Sequence, residues 1–189
     1  MTKRAKTLTQ KDLKQVFDYI AVHKHAIRNR TMLLATYFGG MRVGEVANLL
    51  YKDVMDETGK IRDEIVLRPE QTKGKHGRTV FVNSKLKKEL EIYVRNHKPT
   101  ILTSKLFYTQ KREGFTPNTL AQHFHYLYKA SGCVGCTSHS GRRSYATAMS
   151  SKGVGVRVLM RALGHQNLSS TLLYVEASDD MLRKAVELV

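Results

Sequence analysis

The apolar residues of this chain recur at helical spacing almost from end to end, and the period breaks in one place. Leu13, Val16, Phe17 and Ile20 predict a first helix over about 10–24, entered through Thr9 and Asp12 in a capping arrangement. "RNRTMLLATYFGG" predicts a mostly buried second helix ended by Gly39 and Gly40, and "VGEVANLL" a short third one. Near residue 60 the character changes. "DEIVLRPEQTKGKHGRTVFV" has two β-branched runs around a Gly- and Lys-rich centre, which predicts a β-hairpin. Leu86, Leu90, Tyr93 and Val94 restore the helical period over about 84–96, and Thr116 ahead of Pro117 opens another helix. Further helices are expected over about 139–150, 155–162, 170–175 and 178–187. The fold class is therefore mainly α with a small antiparallel β-sheet, in a single domain over 1–189 that includes the C-terminal helix.

Charge narrows the function. Among 189 residues, 32 Lys and Arg oppose 16 Asp and Glu, a formal net charge of +16. The excess is spread along the chain instead of sitting in one tail, which is what a polyanionic partner rewards, and such a partner is the leading reading. A basic but uninvolved surface and an anionic membrane are the competing readings. No run approaches the ~18 apolar residues that span a bilayer, and the basic N-terminus lacks the apolar core of a signal peptide. Neither insertion into a membrane nor export is expected.

Cys133 and Cys136 form a C-V-G-C pair. One such pair supplies half of a structural zinc site, and no well-spaced second pair accompanies it. A redox pair would sit near a βαβ pattern, which is missing. Free thiols in a reducing compartment are expected, with a cytoplasmic, DNA-associated location.

Several basic residues fall at structural punctuation. Arg42 in "GGMRVGE" follows the double glycine, and Glu45, three residues on, can hold its guanidinium in place. Lys73, Lys75 and Arg78 lie around the tip of the hairpin, within reach of an anionic partner. His139 and Arg142 stand three apart at a helix start, where backbone N–H groups favour anions. His165 follows the turn at Gly164, and Tyr174 comes nine residues later, on a short helix expected to be capped by Ser169. Taken singly, each has an ordinary explanation: a surface ion pair, a solvated loop, an amphipathic core tyrosine.

Together they have a chemical logic. A tyrosine can attack a phosphodiester if cations clamp the non-bridging oxygens of the pentavalent phosphorane. Two arginines offer planar forks for those oxygens. The leaving 5′-oxygen needs a proton, which a lysine held near other cations can deliver, and histidines can donate to phosphate or relay the tyrosine proton. Guanidinium groups supply the charge compensation, so no metal or cofactor is called for. No dense Asp/Glu cluster of the kind a two-metal nuclease uses is present.

The ordered set resembles the catalytic domain of the tyrosine recombinases, the phage integrase family, over nearly the whole chain. Arg42 in "GGMRVGEVANL" is similar to the first arginine box, with Glu45 at its acidic companion. Lys73 in "TKGKHGR" is similar to the hairpin lysine, and His139 and Arg142 in "HSGRRSYAT" to the His-x-x-Arg box. His165 in "LGHQNLSSTLLY" is similar to the second histidine position and Tyr174 to the nucleophile. The resemblance implies a site-specific recombinase whose tyrosine joins a DNA 3′-phosphate. It implies catalytic roles for Arg42, Lys73, His139, Arg142, His165 and Tyr174, a supporting role for Glu45, and DNA contacts by Lys75, Arg78 and Arg143. It further implies double-stranded DNA as the partner, a monomer in solution and a tetramer on paired DNA sites, with neither metal nor ATP.

Two departures stand out. Gly141 replaces the leucine more usual in the His-x-Leu-Arg box, an exchange expected to lose a small packing contact. About forty residues precede Arg42, too few for the N-terminal domain most members carry. This is similar to the short fimbrial-switch recombinases, and equally to a domain cut from a longer integrase. A DNA-binding regulator that does not cut, and a type IB topoisomerase-like enzyme that relaxes DNA as a monomer, are the alternative functions.

Overall fold

The computed structural model describes residues 5–72, 74–99, 101–109, 113–175, 182, 183, 186 and 187. Lys73, and most of the C-terminal helix expected over 178–187, lie outside the described residues.

Most of the predicted helices form, and those entered at Thr9 and Thr116 or ended at Gly39–Gly40 do so at the expected caps. Helix α1, Gln10–Ala21, opens on a reciprocal cap: the Asp12 amide donates to Thr9 Oγ1 at 3.1 Å while Asp12 Oδ2 accepts from the Thr9 amide at 2.9 Å. Helix α2, Ala26–Gly39, buries Met32, Leu33, Leu34 and Ala35 in succession and so runs through the middle of the molecule. It stops at Gly40, whose φ of 59° is the left-handed value glycine adopts without strain. Helix α5, Ser84–Asn96, is capped by Asn83, and helix α6, Pro117–Ala130, by Thr116 with Pro117 in its first turn.

The short third helix ends before "VGEVANLL" does, and a further helix that the sequence did not predict follows it. Helix α3 covers Val43–Ala47 and α4 covers Tyr51–Val54. Leu50 between them is extended, its amide held by Asp53 Oδ2 at 2.9 Å and its backbone bridged to Lys105, so the helix cannot run through it.

The sheet has two antiparallel strands, β1 Glu64–Leu67 and β2 Arg78–Phe81, with Ile65 opposite Val80 and Leu67 opposite Arg78. Ile65, Leu67 and Val80 face the core. The long connection contains a 3-10 turn at Pro69–Gln71.

Three further helices follow α6: α7 Ser140–Ser151, α8 Val156–Leu163 and α9 Leu168–Leu172. The last begins earlier than expected. Asn167 takes the cap position, Ser169 lies inside the helix, and Tyr174 sits in the turn just beyond it. The main core gathers α1 to α6 and the hairpin, with Tyr93, Phe107, Phe124 and Tyr128 among its largest buried side chains. A second, small cluster of Ala146, Leu159 and Leu163 ties α7 to α8, with Tyr145, Met149, Tyr174 and Val175 packed against it. The candidate site residues Arg42, Arg142 and His165 lie where elements of these two clusters meet.

Helix α7 packs along α2, and Gly141 is what lets it approach. A Cβ at Gly141 would collide with Thr36 Oγ1 and lie 3.0 Å from Thr36 Cβ and 3.3 Å from the Tyr37 amide nitrogen. The glycine therefore does more than forgo a packing contact; it sets the spacing of the helix that carries Arg142.

Cys133 and Cys136 are buried free thiols. Burial raises both, and the Cys133 thiol donates to the Asp12 carbonyl at 3.5 Å.

Candidate active site

Two helix ends in the left-handed conformation deliver backbone carbonyls into one cluster of guanidinium groups. Gly40 ends α2 and Gly164, with φ of 60°, ends α8. Neither tolerates a side chain: a Cβ on Gly40 would strike the Tyr145 ring, and one on Gly164 would strike Arg78 Cδ. The Gly40 carbonyl accepts from Arg142 Nη1 at 2.6 Å and from Arg78 Nη2 at 3.3 Å. The Gly164 carbonyl accepts from Arg42 Nη2 at 3.4 Å.

Glu45 sits beneath the arginines. Its Oε2 accepts the Arg42 amide at 2.7 Å, the reciprocal half of an N-terminal cap, and its Oε1 accepts Arg42 Nη1 at 2.9 Å. Arg78 approaches the same carboxylate with Nε at 3.1 Å and Nη2 at 2.7 Å. Burial would push the Glu45 carboxyl up. The Arg78 hydrogen bond and charge, the Arg142 charge and the Arg42 amide outweigh that and hold it below its ordinary value.

Arg142 is buried, donating also to the Leu163 carbonyl at 2.6 Å and facing His165 Nε2 at 3.1 Å. Burial and the Arg42 and Arg78 charges pull it down to about 9, against the opposing pull of Glu45 and Tyr174. At neutral pH it remains a cation. His165 is lowered to about 4 by burial and by Arg142, Arg42 and Arg78, so its ring is neutral. Three arginines, one carboxylate and a neutral imidazole leave the cluster with a net charge of +2. Arg42 is its open side, with 28 % of its side chain exposed against 6 % for Arg78. A compact cluster of that sign, holding planar donors, is a site for an oxyanion.

Tyr174 lies beside it. Its ring stacks on His165, centroids 6.1 Å apart and 25° between planes, and the Arg143 guanidinium stands 5.6 Å from its centroid. The Tyr174 amide donates to the Thr171 carbonyl at 2.9 Å.

The structure thus brings Arg42, Glu45, Arg142, His165 and Tyr174 together. His139 occupies the N-cap position of α7, exposed, three residues before Arg142. Lys75 is exposed on the connection between the strands. Lys73 lies outside the described residues. The expectation that Arg78 reaches outward from the hairpin tip is corrected. It is the first residue of β2, its guanidinium is buried, and its donors are taken by Glu45, Gly40 and the Ala162 carbonyl at 2.7 Å. The strand alternation held the clue, since Val80 points inward and Arg78 shares its face. Thr171, which meets His165 Nδ1 at 2.9 Å, was also missed; nothing in its sequence context separates it from Ser169 and Ser170.

Among the described residues, no group of three His, Cys, Asp or Glu is placed to hold a metal ion, and no helix is long and apolar enough to cross a membrane.

Comparison with known proteins gives the family and the fold. Residues 6–181 match the Phage integrase family. The tyrosine recombinase XerA of Pyrococcus furiosus is 31% identical over 185 residues, covering 96% of this chain and 61% of that protein. The tyrosine recombinase XerC of Bacillus subtilis is 29% identical over 188 residues, covering 94% and 59%. The chain therefore belongs to the phage integrase family, and it spans about three fifths of the length of those curated relatives. The fold is shared with the crystal structure of XerA recombinase, at a TM-score of 0.74 and 23% identity over 100% of this chain and 66% of that one. The Tn1549 transposon integrase in complex with circular intermediate DNA gives 0.74 and 21%, covering 98% and 67%.

Proposed function

We propose that this domain breaks and rejoins DNA at specific sites through a covalent 3′-phosphotyrosyl intermediate on Tyr174. The observation that carries the reading is Tyr174 stacked on His165 at the edge of a buried arginine cluster of net charge +2. Arg42 and Arg142 clamp the non-bridging oxygens of the scissile phosphate as negative charge grows there. Glu45 and Arg78 hold Arg42 in position, and His139 and His165 contribute phosphate contacts and proton transfer. The Tyr174 oxygen forms its bond to phosphorus as the bond to the 5′-oxygen breaks. The phenol proton leaves to a neighbouring histidine or water, and Lys73 delivers a proton to the 5′-oxygen. The reverse step, with a partner strand's 5′-hydroxyl attacking, releases the tyrosine and completes exchange.

On this reading the protein works on DNA in the cytoplasm, as a monomer when free and as a tetramer on two paired sites. Leu168, Leu172 and Leu173 are exposed on and just after α9, Leu182 and Val186 are exposed later in the chain, and a neighbouring protomer on the paired sites is what would cover them. Lys75 and Arg143 supply further contacts to the DNA backbone. The test is to incubate the protein with genomic DNA, denature, and sequence the ends that remain attached. Attachment through 3′-phosphates at a defined sequence is expected. Binding without attachment would leave a regulator that does not cut, and relaxation of supercoils by lone protomers would favour a topoisomerase.

A further inference from the structure

The site contains a buried hydroxyl with no role in the scheme above. We infer that Thr171 is a positioning residue that acts with Arg142 to fix which nitrogen of His165 carries the proton, Arg142 requiring a lone pair on Nε2 and Thr171 accepting the proton of Nδ1, and with it the orientation of the ring between Arg142 and Tyr174. The inference rests on the recombinase reading for its consequence, but not for its geometry.

A guanidinium only donates hydrogen bonds. Arg142 Nη2 stands 3.1 Å from His165 Nε2, so Nε2 must offer its lone pair. In a neutral imidazole the proton then sits on Nδ1, which faces Thr171 Oγ1 at 2.9 Å, and the hydroxyl oxygen accepts it. The ring is neutral here, because burial and the charges of Arg142, Arg42 and Arg78 outweigh the pull of Glu45. Thr171 is fully buried on α9, and its β-branched side chain has little rotamer freedom. Its carbonyl, meanwhile, accepts the Tyr174 amide at 2.9 Å. One buried residue therefore sets both the imidazole and the backbone of the proposed nucleophile. Before DNA arrives, His165 meets Arg142 as an acceptor, which steadies a guanidinium whose other bonds go to backbone carbonyls.

The variants are Thr171→Val, which keeps the shape and removes the hydroxyl, and Thr171→Ser, which keeps the hydroxyl. Nitrogen-15 spectra of the histidine rings in the DNA-free protein, assigned by the signals lost in His165→Asn, read the tautomer directly. The wild type and Thr171→Ser should show the proton on Nδ1, and Thr171→Val, which strips Nδ1–H of its acceptor while Arg142 still favours a lone pair on Nε2, should show a mixture of the two tautomers. Covalent attachment to a DNA site should slow about 10- to 100-fold in Thr171→Val and remain within about threefold of wild type in Thr171→Ser. A wild-type ring protonated on Nε2, or a Thr171→Val ring as fully protonated on Nδ1 as the wild type, overturns the inference. So does an unchanged attachment rate in a Thr171→Val protein whose tautomer has moved. If Thr171→Val does not fold, the wild-type tautomer and the Thr171→Ser rate still decide. Failure of the wild type itself to attach to DNA would defeat the recombinase reading and leave the tautomer result standing.

Discussion

Arg78 and Glu45 form a buried two-point ion pair, Nε to Oε1 at 3.1 Å and Nη2 to Oε2 at 2.7 Å, between a β-strand and a short helix 33 residues apart in sequence. Glu45 also holds the open arginine, Arg42, so the pair joins the stability of the fold to the shape of the site. Removing one partner leaves the other charged and buried, which costs about 3–5 kcal/mol. Glu45→Gln and Arg78→Ala should each lower the urea midpoint accordingly. The carboxyl is held below its ordinary value in the fold, so its contribution is present above about pH 4.5 and is lost as pH falls through the depressed folded value. The acid limb of the stability curve should accordingly be shallower in Glu45→Gln than in the wild type.

Tyr174→Phe removes one oxygen and keeps the ring that packs against Ala146, Leu159 and Leu163. Denaturation-resistant DNA adducts should vanish, while gel-shift affinity stays within about twofold and the melting temperature hardly moves. An adduct formed by the variant would place the nucleophile elsewhere.

How much of this was legible in advance depends on how local each signal is. Thr9 with Asp12, Thr116 with Pro117, and Gly39–Gly40 mark helix ends through contacts within a few residues, and those ends fell where expected. The Arg42–Glu45 pair is equally local, set by one helical turn. Arg78 was misplaced because its partners lie on other elements, although the inward Val80 two residues on carried the period of the strand. The start of α9 was misjudged because Ser169 has the chemistry of a cap, whereas Asn167 takes the position without a side-chain hydrogen bond. Thr171 was illegible because three adjacent hydroxyl residues could each have met the His165 ring, and Gly141 because it matters through Thr36 on another helix.

Lys73 carries the proposed proton donor, so its loss should matter only while the leaving oxygen needs a proton. Lys73→Ala should slow cleavage of ordinary DNA by ~10²–10⁴. A substrate with a 5′-bridging sulfur, whose thiolate leaves unprotonated, should be cleaved at nearly the wild-type rate. Equal defects on both substrates would pass the role to Lys75 and reduce Lys73 to a phosphate contact.

His165 makes a signed prediction about pH. Its ring is lowered to about 4 in the fold from an ordinary 6.5, by burial first and then by Arg142, Arg42 and Arg78. Between those values the unfolded chain takes up a proton that the folded chain refuses, so stability falls as pH drops through that window and levels off below it. The difference in unfolding free energy between the wild type and His165→Gln should therefore change between pH 6.5 and 4 and stay flat from 6.5 to 8. A difference independent of pH would mean that the ring is charged or solvated in the fold.

Gly141 turns a family departure into a packing test. The leucine usual at this point of the box cannot be accommodated while α7 lies this close to α2, because even a Cβ meets Thr36 and the Tyr37 amide. Gly141→Ala should therefore destabilise the protein by about 1–3 kcal/mol, despite the helix propensity that alanine adds. Part of the clash is with Thr36 Oγ1, which donates to the Leu33 carbonyl at 2.7 Å, and the rest is with Thr36 Cβ and backbone. Thr36→Ala removes the first and keeps the second. The double variant Gly141→Ala with Thr36→Ala should hence be more stable than the sum of the two single losses predicts, by about 0.5–1 kcal/mol of coupling. Denaturant melts of the four proteins give that number. Strict additivity would show that α7 shifts away from α2 to make room, and the attachment rate of Gly141→Ala should then fall as well, because Arg142 rides on the same helix.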